Sequence, residues 1–242
     1  MKPLGRKNYG SVPHLIGSKL GAGDRHVHEG QHRICTDKVR DKHDVIIVQE
    51  KYDGSNVGIA KKDGKILALT RSGYLAHTSP YEHHHVFEAW VKQNTLWFKD
   101  VLNEGERIVG EWLYQAHGLR YFIVGDPFIA FDLFTPENER MPYIEFYGRM
   151  YKYGVNIPNT LHEQSKPLPI SEALNRVLLP YHRKIKATQK PEGVVYRVER
   201  KGKVDFLAKY VRHDFEPGKY LPEISGNDPV YNCPIDQFLN RE

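Results

Sequence analysis

The 242-residue sequence has only two cysteines, Cys35 and Cys233. Two cysteines exclude a disulfide framework and a cysteine-rich zinc site, and they fit a reducing, cytoplasmic setting. No apolar run approaches the roughly 18 residues of a membrane-spanning helix. The opening MKPLGRKNYG lacks the apolar stretch of a signal peptide. Neither an internal repeat nor a low-complexity tract interrupts the chain.

What is present points to a globular, sheet-rich protein. Hydrophobic residues make up 40% and charged residues 27%, close enough to globular averages to exclude a mostly disordered chain. The length is worth roughly one and a half domains, enough for a sizeable core. We expect one domain over 1–242, with a loop-rich lead-in over 1–44 and a short tail over 213–242. Twenty glycines, fifteen prolines and 12% aromatics favour strands and turns over a helical bundle. Thirty-five Lys and Arg against thirty Asp and Glu leave a net +5, which suits a polyanionic partner.

Val45 to Val48 is a β-branched run that reads as a buried strand. Asn56–Ala60 and Lys65–Leu69 flank Lys62-Asp63-Gly64, a hairpin signal. Ser79-Pro80-Tyr81-Glu82 predicts a helix start, with Val86, Phe87, Trp90 and Val91 as its apolar stripe. Strands are expected over 107–114 and 128–134, and a helix over 143–153. Ser171 is expected to cap a second short helix with Leu174, Val177 and Leu178 on one face and Pro180 beyond its end. Val194–Val198 and Val204–Val211 flank Arg200-Lys201-Gly202-Lys203, a second hairpin. Strands outnumber helices and many are consecutive, so the expected class is α+β with antiparallel sheets.

The sharpest feature is Glu50-Lys51-Tyr52-Asp53-Gly54-Ser55-Asn56, where a strand runs into a lysine, then Asp-Gly, then a second strand. Taken alone it is a turn with a solvated lysine as readily as a site. Five further segments follow in order: Thr70-Arg71-Ser72-Gly73, Gly110-Glu111-Trp112-Leu113, Phe128 to Leu133, Glu192-Gly193-Val194-Val195-Tyr196-Arg197, and Leu207-Ala208-Lys209-Tyr210. Together they resemble the motifs of covalent nucleotidyltransferases: ATP-dependent DNA and RNA ligases and mRNA capping enzymes. Asn56, and the twenty-residue step from Lys51 to Arg71, resemble the nick-sealing branch of RNA ligases. The resemblance spans residues 50–212. It implies an ATP-grasp-like ligase adenylation domain of antiparallel sheets with flanking helices, and no separate oligonucleotide-binding domain in the tail.

The resemblance also implies a reaction. Lys51 attacks the α-phosphate of ATP, AMP passes to a 5′-phosphate end, and a 3′-hydroxyl displaces AMP to join the strands. Free lysine, with a pKa of about 10.4, is ammonium at neutral pH. Burial, Lys209, Arg71 and a divalent cation would depress it, whereas Glu50 and Asp53 act in the opposite sense unless occupied elsewhere. By resemblance Glu50 meets the adenine amino edge, and Asp53 orients the site or the metal shell. Arg71 and Lys209 hold phosphate oxygens, with surface ion pairs as their alternative. Glu111 is assigned to ribose hydroxyls and metal, and Glu192 to Mg²⁺ or Mn²⁺, with pairing to Arg107 or Arg197 as the alternative. Phe131 is assigned to adenine stacking, and Phe128 falls on the other face by parity. Gly54 and Asn56 complete the nucleotide-binding set, and Arg197 is expected at the phosphates.

Val211 stands where the last motif usually carries a second basic residue, with Arg212 one step later. Alternation turns Arg212 away from the site unless a bulge restores it. His83-His84-His85 falls in a helix, where successive side chains diverge by about 100°, so a solvated face is expected rather than a metal site. His26 and His28 lack a completing ligand. His117 follows the Glu111 strand, within reach of nucleotide or RNA. The expected activity is an RNA ligase acting on strand ends or nicked duplex. A compact DNA ligase, and a binding module of the same fold without catalysis, are the alternatives.

Overall fold

A computed structural model describes residues 1–179 and 184–239. Ten strands carry the architecture: β1 (Asp44–Lys51), β2 (Ser55–Lys62), β3 (Lys65–Thr70), β4 (Arg107–Trp112), β5 (Tyr121–Ile123), β6 (Phe128–Phe134), β7 (Thr160–Gln164), β8 (Ile185–Ala187), β9 (Gly193–Arg200) and β10 (Lys203–Val211). One antiparallel sheet has the order β10-β9-β1-β7 and a second has β3-β2-β4-β6; β5 and β8 form a small ribbon. The helices are α1 (Glu29–Thr36), α2 (Glu82–Gln93), α3 (Thr95–Val101), α4 (Tyr143–Tyr153), α5 (Ile170–Val177) and one turn, α6 (Pro222–Ser225). No helix among the described residues is long and apolar enough to cross a membrane.

Strand parity divides each sheet into a packed face and a working face. In the first sheet Ile46, Val48, Val194, Tyr196, Val198 and Ala208 pack on Cys35 of α1 and on Ala173 and Val177 of α5. In the second, Val57, Ile59, Ile108 and Trp112 pack on Phe87 and Trp90 of α2 and Phe98 of α3. Because side chains alternate, the odd residues of β1, β9 and β10 turn the other way. Both expected hairpins are present. Asp63 and Gly64 (φ 50° and 70°), and Lys201 and Gly202 (φ 51° and 73°), have the paired positive φ of a type I′ turn.

Several local expectations need correction. α2 starts at Glu82 after an extended Tyr81; Ser79 Oγ meets the Tyr81 N–H and the His84 ring instead of capping the first turn. α5 starts at Ile170 after Pro169, so Ser171 lies inside it, and Leu178 is exposed. Pro180 falls outside the described residues. β5, β7 and β8 have no counterpart in the sequence reading. The segment before β1 contains α1, and it lies against both sheets: Leu15 N–H donates to the Lys209 carbonyl, and Asn8 N–H to that of Arg71.

Candidate active site

The chain crosses between sheets at Tyr52-Asp53-Gly54, from Lys51 at the end of β1 to Ser55 at the start of β2. Glycine is required at this crossing, because a Cβ on Gly54 would lie 2.6 Å from the Trp112 carbonyl oxygen. Gly54 N–H donates to Glu111 Oε1 at 3.1 Å. Asp53 N–H donates to the Tyr121 hydroxyl, and its Oδ2 accepts from the Gly118 and Leu119 amides at 2.6 and 3.1 Å. Asp53 is therefore an orienting group tied to the 118–119 loop. Its Oδ2 is thus engaged by two backbone amides, which suits the orienting role expected for it more directly than the metal-ligand role.

A cleft of about 180 Å³ opens between the two working faces. Gln49 and Lys51, Val195 and Arg197, and Leu207 and Lys209 line it from the first sheet, two residues apart on each strand. Asn56, Glu111, Ile129 and Phe131 line it from the second, and Arg71 from the turn after β3. Register sets the spacing: Lys51 faces Gly193, and Lys209 faces Val195, which in turn faces Gln49. Glu192 precedes Gly193, and its Oε2 accepts from Lys51 Nζ at 2.7 Å. Glu50 is buried beside Lys51; its Oε2 accepts from Asn159 Nδ2 at 2.6 Å and the Tyr52 hydroxyl at 3.3 Å.

The charges do not act on Lys51 as the sequence reading expected. Burial pulls its pKa down, but the carboxylates of Glu192, Glu111 and Asp53 outweigh burial and hold it above the ordinary lysine value. Burial, only partly offset by Lys51, raises both Glu111 and Glu192 to about 7. Burial and then repulsion from Lys51 lower Lys209. Without nucleotide the amine is thus a proton-holding partner of two glutamates. Those glutamates are also the groups suited to a divalent cation. Among the described residues no cluster of three His, Cys, Asp or Glu forms a ready cage. Two carboxylates, Glu192 buried and Glu111 partly so, suit an ion whose remaining ligands are phosphate oxygens and water.

Arg197 is not available as the sequence reading placed it. Its guanidinium donates to Asp132 Oδ1 at 2.9 Å, Glu199 Oε1 at 2.7 Å and the Met141 carbonyl. It forms the cleft floor, buried among partners, rather than a free phosphate ligand. Arg212 is turned from the cleft as alternation requires: it donates to the Lys190 and Pro191 carbonyls and pairs with Asp214. The irregularity in β10 falls at Val204/Phe206, before both Lys209 and Arg212, so it leaves their relation unchanged. Arg212 instead braces the segment that carries Glu192, whose carbonyl accepts the Arg212 N–H.

A bulge in β6 shapes the second wall. Val109 pairs with Asp132 and Gly110 with Ala130, which leaves Phe131 as the extra residue. Parity reverses there. Ile129 and Phe131 line the cleft before the reversal, while Asp132 and Phe134 share that side after it. Phe128 packs on Phe87 and Trp90 in the core.

The sequence reading missed the contribution of the N-terminal segment. Tyr9, Gly10 and Val12 line the cleft, and the Tyr9 ring meets Phe131 edge-on at 5.2 Å. His14 bridges Ser18 and Asp24, and Asp24 lies 3.7 Å from Lys209 Nζ. No motif marks these residues; only the backbone bonds to Arg71 and Lys209 bring them to the site.

The three histidines are also not a solvated face. His83 is buried, with Nδ1 2.7 Å from Gln115 Oε1 and Nε2 2.9 Å from Ser55 Oγ. Ser55 Oγ also lies 3.2 Å from His117 Nε2. Burial, then His84 and His117, push His83 down to about 3. His83 and His117 thus anchor the first residue of β2, directly after the Tyr52-Asp53-Gly54 crossing. His84 is half-buried and only His85 of the three is exposed. His26 and His28 lie in the N-terminal segment, where His28 forms a capping box with Gln31 at the start of α1.

The model of the RNA ligase family matches residues 44–211. Among curated proteins none matches the sequence. A structure described as a putative ATP-dependent DNA ligase from Aquifex aeolicus aligns with a TM-score of 0.53 at 19% identity, over 84% of this chain and 49% of its own. A variant of the Naegleria gruberi RNA ligase with AMP and Mn aligns with a TM-score of 0.51 at 15% identity, over 92% and 64%. An archaeal ATP-dependent RNA ligase aligns at 0.47 and 18%, over 84% and 48%. This chain spans about half the length of the archaeal and Aquifex proteins. At these identities the two higher alignments speak to the fold.

Proposed function

The chain belongs to the RNA ligase family, within the covalent nucleotidyltransferases, and from that premise we propose that it joins 5′-phosphate and 3′-hydroxyl ends of RNA at the expense of ATP. The observation that carries this reading is the convergence of Lys51, Glu111, Lys209 and Arg71, from four separate segments, around one crevice between two sheets, with Glu192 paired to Lys51. A binding module needs no part-buried lysine on the wall of the cleft held 2.7 Å from a buried carboxylate.

In this reading ATP lies between the sheets with adenine against Phe131 and near Glu50. Asn56 stands at the phosphate end, where its buried Oδ1 has no hydrogen-bond partner among the described residues. Glu111 and Glu192 would hold Mg²⁺ or Mn²⁺, which when bound neutralises phosphate charge. Were Glu192 and Glu111 to hold that cation, Lys51 would be freed of the two carboxylates that most raise it, and burial and the Lys209 charge would favour the free amine. Lys51 Nζ bonds to the α-phosphorus as the bond to the β-phosphate oxygen breaks, pyrophosphate departs, and the amine proton passes to solvent water. Lys209 and Arg71 face the charge that builds on the phosphate oxygens. The 5′-phosphate then takes AMP from Lys51, and the 3′-hydroxyl displaces AMP.

The test is incubation with α-labelled ATP and Mg²⁺. We expect an acid-stable labelled protein, with no label on Lys51→Ala. We also expect faster sealing of nicks with RNA on the 3′-hydroxyl side than of all-DNA nicks. Undiminished labelling of Lys51→Ala would refute the nucleophile, and equal sealing of all-DNA nicks would refute the RNA preference.

A further inference from the structure

β10 is an edge strand of the first sheet, and residues 13–19 run beside it. Lys209 N–H donates to the Pro13 carbonyl at 2.9 Å, Leu15 N–H to the Lys209 carbonyl at 2.8 Å, and Lys19 N–H to the Val211 carbonyl at 3.0 Å. The backbone polar groups that an edge strand leaves open are thereby satisfied around Lys209. His14 N–H in turn donates to the Arg25 carbonyl, and the His14 carbonyl accepts from Val27 N–H, both at 2.8 Å. His14 thus pairs with Lys209 on one side and His26 on the other, and Asp24 reaches across to within 3.7 Å of Lys209 Nζ.

Side chains add a directed chain of hydrogen bonds to this backbone. Val211 N–H donates to Ser18 Oγ at 2.9 Å, and Ser18 Oγ lies 2.7 Å from His14 Nδ1. His14 Nε2 lies 2.9 Å from Asp24 Oδ2. A carboxylate only accepts, so Nε2 carries the ring proton and Nδ1 accepts from the Ser18 hydroxyl. Burial and then Lys209 lower His14, which keeps its buried ring neutral at neutral pH. Burial raises Asp24, but the Gly21 N–H at 3.1 Å, Lys209 and His14 outweigh it and keep the carboxyl ionised. Asp24 Oδ2 is committed to Gly21 and His14, and Oδ1 faces Lys209. Burial is the largest influence on Lys209 and lowers it; Lys51 and Arg71 lower it further, while Asp24 and then Glu192 raise it. Glu192 already pairs with Lys51, which leaves Asp24 as the carboxylate that holds Lys209.

We propose that Asp24, fixed by His14, Ser18 and Gly21, is the positioning residue for Lys209, holding that side chain in the cleft as the cation that meets charge on the α-phosphate. The proposal rests on the ligase reading and deepens it, because it gives the N-terminal segment a part in the adenylylation of Lys51. Ser18 takes hold of β10 at Val211, the position where the last motif departs from its usual basic residue.

The experiment measures the single-turnover rate of label transfer from α-labelled ATP to the full chain, against ATP concentration and pH. The chains compared are wild type, Asp24→Asn, Asp24→Glu and Asp24→Gln. Asp24 is half-buried and belongs to neither large apolar core. We expect Asp24→Asn to lower the saturating rate by about tenfold or more, as a displaced reacting group does. The half-saturating ATP concentration should change by less than about twofold. The alkaline limb of the pH profile should move to lower pH, because Lys209 then gives up its proton sooner. Asp24→Glu and Asp24→Gln match in size and differ in charge, so they carry the test even where Asp24→Asn lowers the melting temperature. The glutamate should label faster than the glutamine and hold its alkaline limb at higher pH. Equal behaviour of that pair, or an Asp24→Asn chain that labels as fast as wild type or faster, overturns the proposal. A second measurement needs no turnover: in pH-dependent reductive methylation, the midpoint of Lys209 deprotonation should fall in Asp24→Asn. A chain that is never labelled, but whose Lys209 midpoint falls, refutes the ligase reading and keeps the pairing. A chain labelled at Lys51, whose variants match wild type in both measurements, refutes the positioning role alone.

Discussion

At Lys51 burial and three carboxylates pull in opposite directions, and the carboxylates prevail. The sequence reading weighed Lys209 and Arg71 against Glu50 and Asp53 but could not see that Glu192, 141 residues away, sits on the amine itself. A group whose folded pKa is raised adds stability that is present below its unfolded value and lost as pH rises through the folded value. Glu192→Gln removes the largest single cause that raises Lys51. We therefore expect the midpoint of Lys51 deprotonation, followed by pH-dependent reductive methylation, to fall in this variant. Arg197 and Arg212 carry a related lesson. Their charges were legible, but their partners, Asp132 and Glu199 for one and the 190–191 carbonyls for the other, decide that they brace the site.

At the scale of the element, strands and both hairpin turns could be read because alternation and positive-φ turn residues are local signals. The β6 bulge was not legible, because an unpaired residue is defined by the partner strand. Gly193 shows how tight that pairing is. A Cβ there would lie 1.9 Å from the Tyr210 carbonyl oxygen, within the β9–β10 ladder. Gly193→Ala should cost about 1–3 kcal/mol in denaturant unfolding and weaken labelling by displacing Glu192. In α2, His83 has a folded pKa of about 3 against an unfolded value of about 6.5. The folded state therefore binds fewer protons between those values, and its stability falls as pH drops through that window. His84, His85 and His117 face the same ring. Glu111 and Glu192 contribute in the other sense between about 4.5 and 7. The comparison of variants isolates His83: His83→Gln should lose less melting temperature than wild type on acidification from about pH 6.5 to about pH 4.

For the whole molecule, the working faces of the two sheets are joined by the Tyr52-Asp53-Gly54 crossing on one side and spanned by residues 9–24 on another. Tyr9 belongs to a small cluster with Val109 and Phe134, and its hydroxyl donates to Asp132 at 3.3 Å. Tyr9→Ala should cost about 3 kcal/mol or more of stability, by analogy with other buried aromatic truncations, and should weaken ATP binding through the loss of packing on Phe131. Thermal unfolding and nucleotide titration check both effects. An unchanged nucleotide affinity would mean that the segment only covers the core.

The sequence by itself determined which side chains are available for phosphate chemistry, their order and the strands that hold them. Alternation over five or six residues needs no distant partner to be read. Tertiary structure alone decided which carboxylate meets Lys51, which way Phe131 and His83 turn, and that an irregular N-terminal segment closes the cleft. Each of those outcomes depends on contacts between residues far apart in the chain, and their free energy has no local signature in composition or periodicity.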